Sequence, residues 1–118
     1  MDTRRAQAVQ MLLTELQEKG LYSPEVIQQT EKLLWVLLNY ALDVFPEKQA
    51  AYGANNIAKF GEFGVLVRAS DKVERLRNLL QSQRQFSESI EDSWRDLLGY
   101  GAIGVLCRRG EWNGSNHS

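Results

Sequence analysis

The sequence predicts an all-α fold, a bundle of about five helices, and three observations carry that reading. Apolar residues recur at three- and four-residue intervals through most of the 118-residue chain, the spacing that lines one face of a helix. Helix punctuation brackets those stretches: Ser23-Pro24-Glu25 is a start signal, and Gly20, Gly53 and Gly110 stand where helices end. No run joins β-branched alternation to hairpin turn chemistry, and no internal repeat is present.

The first helix is expected over about Thr3–Lys19, with Val9, Met11, Leu12 and Leu16 as its amphipathic pattern and Gly20 as its stop. Ser23 as N-cap, Pro24 at the first helical position and Glu25 in the first turn restart the chain. This second helix carries LLWVLL at Leu33–Leu38, apolar all round, as a central bundle helix would be. Pro46 is expected to end or kink it, because proline lacks the helical N–H and its ring crowds the preceding turn. A short helix over Glu47–Tyr52 closes at Gly53, and Ala54–Gly64, rich in Gly and Asn, reads as the substantial internal loop. A further helix follows over about Phe63–Gln81, with Val65, Ala69, Val73, Leu76 and Leu80 as its stripe. Ser87 caps the last helix, Gly110 terminates it, and residues 113–118 are expected to be a disordered tail.

Composition narrows the function classes. At 43% hydrophobic and 25% charged the chain has ordinary globular usage, and its length suits a single domain over residues 1–118. A formal net charge of −1 offers no global attraction for nucleic acid, so sequence-specific DNA binding is not expected and any phosphate binding must be local. Cys107 is the only cysteine, which excludes an intramolecular disulfide and a cysteine zinc cluster; its apolar surroundings suit an inert core thiol. His117, the only histidine, stands in the tail, so Ser–His and Cys–His nucleophile systems are excluded. The N-terminus lacks the apolar segment of a signal peptide, and Leu33–Phe45 is shorter than the roughly 20 residues a membrane span needs. A cytoplasmic protein with no membrane partner is expected.

The segment ESIEDSWRDLLGYGAIGVLCRR, Glu88–Arg109, holds the most chemistry. Glu88, Asp92 and Asp96 at i, i+4 and i+8 stack three carboxylates on one helix face, opposite Ile90, Trp94, Leu97 and Leu98. Each like-charge pair costs an isolated helix roughly 0.2–0.5 kcal/mol unless something neutralises it. Water and salt, a cation from a neighbouring helix, or a hard divalent ion that prefers oxygen ligands are the three neutralisers. Glu91 and Arg95 form a separate i, i+4 pair, leaving the carboxylate face without a cation of its own. The preceding helix stacks Arg68, Asp71 and Arg75 at i, i+3 and i+7 with Lys72 beside them, facing away from the apolar stripe. That set suits a nucleoside phosphate bridged to a metal, or equally a salt-bridge network between two antiparallel helices. Gly99-Tyr-Gly-Ala-Ile-Gly104 matches a dinucleotide fingerprint literally, but it lies inside a helix rather than after a strand, so it is read as a place for another helix or subunit to approach.

Lys48–Leu80, KQAAYGANNIAKFGEFGVLVRASDKVERLRNLL, with Glu88–Leu106 and RRGEW at Arg108–Trp112, resembles the nucleotide-modification-associated domain family, first type, small helical proteins of phages and bacteria. The resemblance makes residues 48–112 a family-like core and residues 1–47 a subgroup addition. The family's acidic helical pattern is in turn similar to MazG-type all-α nucleoside triphosphate pyrophosphatases. These likenesses imply a nucleotide-binding protein of phage or bacterial nucleotide metabolism or defence. Lys48, Tyr52, Asn56, Arg68, Lys72 and Arg75 would contact the nucleotide, and Glu88, Asp92, Asp96 and Asp71 would hold Mg²⁺ for pyrophosphohydrolysis. The family usually reads Lys-x-x-Asp-Tyr-Gly where this chain has Lys48-Gln49-Ala50-Ala51-Tyr52-Gly53, so a carboxylate is missing at Ala51. The paired Glu-Glu-x-x-Glu motif of MazG-type enzymes is absent as well. The alternative implied is a non-catalytic protein that sequesters or senses a modified or cyclic nucleotide. Finally, the apolar sector of Gly99, Ile103 and Leu106 and the all-round apolar LLWVLL predict a homo-oligomer, most simply a dimer through the last helix.

Overall fold

The computed structural model describes residues 3–82 and 87–112, with the side chains of residues 87–89 outside the description. All regular structure among the described residues is helical: α1 Thr3–Glu18, α2 Pro24–Asn39, a π-helical segment Tyr40–Val44, α3 Phe45–Tyr52, α4 Gly61–Gln81 and α5 Ser87–Arg108. The expected disordered tail, residues 113–118, lies outside the described residues. None of these helices is long and apolar enough to cross a membrane. The chain divides into two compact units, Met1–Lys48 and Gln49–Ser118.

In the first unit α1 packs against α2. Gly20, at φ 65°, closes α1 in the left-handed conformation, which costs a residue without Cβ little. Ser23 then caps α2, its Oγ accepting from the Val26 N–H at 3.3 Å, with Pro24 at the helix start. The inward face of α1 is Val9 and Leu13, with Leu16 half-buried, while Met11 and Leu12 of the expected pattern are exposed. The expectation for LLWVLL fails more fully. No residue of α2 is buried, and Leu33, Val36 and Leu37 are exposed. A single facing helix covers only one side of α2, so an all-round apolar sequence leaves the rest uncovered.

Pro46 does not end the helix, the first of the two outcomes expected of it. The run from Pro24 to Tyr52 is continuous, so the five expected helices form four rods. The π-helical segment is the reason: the Phe45 N–H donates to the Tyr40 carbonyl, one residue further back than in an α-helix. That widened turn stands immediately before Pro46, where an α-helical ladder would meet the proline ring and lose a donor.

The second unit is an antiparallel hairpin of α4 and α5. Glu62 at the start of α4 meets Arg108 at the end of α5 at 3.2 Å, and Lys72 midway along α4 meets Asp96 of α5 at 2.9 Å. Both members of the outer pair sit where the helix dipoles favour their charge. Val65 and Leu76 of α4 are buried, as are Ser93, Gly99 and Ile103 of α5. Gly53 (φ 94°) ends α3 and Gly61 (φ 76°) opens α4; between them run tight turns, including Asn56 N–H to Gly53 O at 3.1 Å and Gly61 N–H to Ala58 O at 3.0 Å. Gly64 is needed for this entry, since a Cβ there would lie 2.9 Å from the Phe60 Cβ.

Candidate functional site

The α4–α5 seam rearranges the faces read from the sequence. The buried side of α4 passes through Val65, Ala69, Leu76 and Leu79, and Arg68 and Lys72 fall within the same sector, half-buried, rather than facing away from it. Val73 and Leu80, assigned to the stripe by spacing, are exposed instead. On α5 the inward face is Ser93, Asp96, Gly99 and Ile103, whereas Trp94 is 55% exposed. Carboxylate spacing and apolar spacing therefore compete for one face, and the seam takes Asp96 because Lys72 arrives opposite it.

Lys72 and Asp96 keep 29% and 14% of their side chains exposed, so the pair is partly withdrawn from water next to buried Ser93. Lysine tolerates such a place because its aliphatic stem packs while the ammonium reaches a partner. At the loop end of α4, Arg68 donates to the Asn56 carbonyl at 3.4 Å and ties the Gly53–Phe60 loop to the helix. Gln49 Nε2 donates to the Ala54 carbonyl at 3.3 Å and braces the loop's other end. Tyr52, at the end of α3, is exposed, as are Ala51, Asp71 and Arg75. Lys48 closes the first unit.

Two of the carboxylates expected to share a cation, Asp92 and Asp96, are paired with basic side chains of the chain itself. Asp96 is bound to Lys72, and Asp92 is reached by Arg95 at 3.5 Å, the same guanidinium that pairs with Glu91. The reading that the carboxylate face has no internal cation is thus corrected: Arg95 serves Asp92 at i−3 as well as Glu91 at i−4. The Glu88 side chain lies outside the described residues. Among the described residues no group of three His, Cys, Asp or Glu is placed to hold a metal ion.

Three further expectations meet the structure differently. Ile103, proposed from spacing to face a second subunit, is 1% exposed and covered within its own chain. A Cβ at Gly101 or Gly104 would meet nothing within 4 Å, so these glycines mark no close helix approach inside the chain. Cys107 is half-buried rather than a core residue; desolvation first, and the Glu62 carboxylate second, push its thiol above the ordinary value. It remains protonated at neutral pH, which makes it a poor nucleophile.

One constellation escaped the sequence reading. Arg5 of α1 grips both carboxylate oxygens of Asp43, at 2.9 and 2.7 Å, and donates to Asn39 Oδ1 at 3.0 Å. The Arg5 guanidinium holds the Asp43 carboxyl below the usual aspartate range, chiefly through the hydrogen bond. Residues 38 positions apart carry no local signal of such a pairing; only the antiparallel return of α2 and its π-helical extension creates it. No family model, curated protein or solved structure matches the chain.

Proposed function

We propose that the second unit is a nucleotide-binding hairpin that holds its ligand without a built-in metal centre, the sequestering or sensing reading. The observation that carries it is the basic strip of α4. Arg68, Lys72 and Arg75 stand at i, i+4 and i+7, within one sector of the helix, and the Arg68 end joins the Asn56 loop next to exposed Tyr52. Guanidinium and ammonium groups suit phosphate oxygens, and an exposed aromatic ring at the start of the adjoining loop suits a base. The resemblance to small nucleotide-modification-associated proteins of phages and bacteria supports the same ligand class. Ala51, where that family usually has an acid, and the pairing of Asp92 and Asp96 with cations support holding over hydrolysis.

Thermal-shift screening of the whole chain against nucleoside mono-, di- and triphosphates and cyclic nucleotides, with and without Mg²⁺, tests the proposal. Stabilisation by a nucleotide recovered intact by chromatography is expected. Arg75→Ala should weaken that binding about tenfold, the loss of one charge-assisted contact. A cleaved product would instead establish the pyrophosphohydrolase reading, and a melt unmoved by every nucleotide would remove both. Ala51→Asp sharpens the point: turnover confined to that variant marks the natural chain as the non-hydrolysing form.

A further inference from the structure

The α4–α5 hairpin carries a second apolar face that its own seam does not use. On α4, Phe63, Leu66, Val73 and Leu80 are all exposed, and Leu66, Val73 and Leu80 repeat at seven-residue intervals, the spacing of a helix–helix seam. On α5 Trp94 is exposed, and Leu97 stands half-buried beside it. The two stripes converge on one groove of about 350 Å³, floored by Val73, Leu76, Leu80, Trp94 and Leu97, with Arg77 at its rim.

The geometry points to a second copy of this chain as the occupant, docked by a two-fold axis through Val73 with the two α4 helices antiparallel. An isologous contact needs a pattern that reads the same in both directions. Leu66, Val73 and Leu80 meet that condition: Val73 is central, and the flanking leucines are each seven residues away. The same axis places the partner's Phe63 and Leu66 at the Leu80–Trp94 end of the groove. Phe63, 72% exposed, supplies an aromatic anchor of the type that fills such grooves. Phe63, Leu66, Val73, Leu80 and Trp94 leave on the order of 500 Å² of apolar side chain in water, a large part of the roughly 800 Å² per partner that a standard interface buries. Burying these stripes against their copies converts two hairpins into a four-helix bundle. The inference does not rest on nucleotide binding.

Light scattering on the full chain at micromolar concentration is expected to give a dimer mass. Val73→Glu should reduce it to the monomer with helical circular dichroism retained, because an exposed residue is changed and the axis brings two like charges together. In a Cys107→Ser background, Val73→Cys should oxidise to a covalent dimer about tenfold faster than an exposed control such as Gln10→Cys, since a preformed dimer holds the thiols at high effective concentration. A monomer at every concentration overturns the proposal, as does a dimer mass that Val73→Glu leaves unchanged. A monomer whose melting temperature falls on Val73→Glu also overturns it and assigns the groove to the same chain.

Discussion

The two helical hairpins of this protein place their charged pairs differently. In α1–α2 the long-range pair, Arg5–Asp43, sits at the open end of the hairpin with its carboxylate 55% exposed, and Val9 and Leu13 are the buried apolar residues of the helix pair. In α4–α5 the pair Lys72–Asp96 sits midway along the seam, flanked by buried Val65, Leu76, Ser93 and Ile103. A pair whose carboxylate is open to water contributes modestly and is screened by salt. A partly buried pair adds little net stability when intact, yet removing one partner strands a desolvated charge, so it fixes register more than it adds strength. Both hairpins carry an end pair, Arg5–Asp43 and Glu62–Arg108, and the mid-seam Lys72–Asp96 pair is what sets α4–α5 apart.

The contrast is broken most directly in the apolar cores. Ile103→Ala should lower the stability of the second unit by about 2–4 kcal/mol in urea unfolding, the cost of emptying a closed site. Leu33→Ala, at an exposed position of α2, should cost less than about 1 kcal/mol; equal losses at the two sites would erase the distinction. A double-mutant cycle tests the seam pair next. Lys72→Met and Asp96→Leu should each cost about 2 kcal/mol, and the double variant should recover most of it, since two apolar residues leave no charge behind. Simple addition of the two losses would show that the pair is not coupled.

Arg5→Ala should produce a smaller fall in melting temperature, one that shrinks as salt is raised. Its pH dependence has a definite sign. Asp43 titrates lower in the folded chain than unfolded, so its contribution is complete above the ordinary aspartate value of roughly 3.9 and fades as pH falls through the depressed one. The difference between wild type and Arg5→Ala should therefore be constant near neutrality and shrink in strong acid to the part carried by the Asn39 bond; a difference unchanged by acid would contradict the assignment. The smallest effect concerns Cys107. Its alkylation, followed by mass spectrometry, should be slow at neutral pH and accelerate only above the ordinary thiol value of about 8.5. Glu62→Gln should shift that profile modestly downward, because a neighbouring negative charge disfavours the thiolate.

Much of the architecture was legible in local chemistry. The Ser23-Pro24-Glu25 start, the stops at Gly20, Gly53 and Gly110, and the Glu91–Arg95 pair all depend on residues within a turn or two of each other, and all stand where spacing put them. Helix existence and approximate bounds follow from the same short-range rules. The faces did not. Spacing marks which residues share a sector, but a helix with two apolar sectors, such as α4, buries the one its neighbour reaches. That is why Leu80 and Trp94 lie outside, Lys72 and Asp96 lie within the seam, and LLWVLL stays exposed. Pro46 shows the same limit, because only a widened turn formed by the preceding residues lets the helix pass it. Local sequence determined the helices and their ends through short-range hydrogen bonding and backbone sterics. Which charges meet, which carboxylates are neutralised, and which apolar face remains for a partner were decided by the antiparallel packing of residues far apart in the chain.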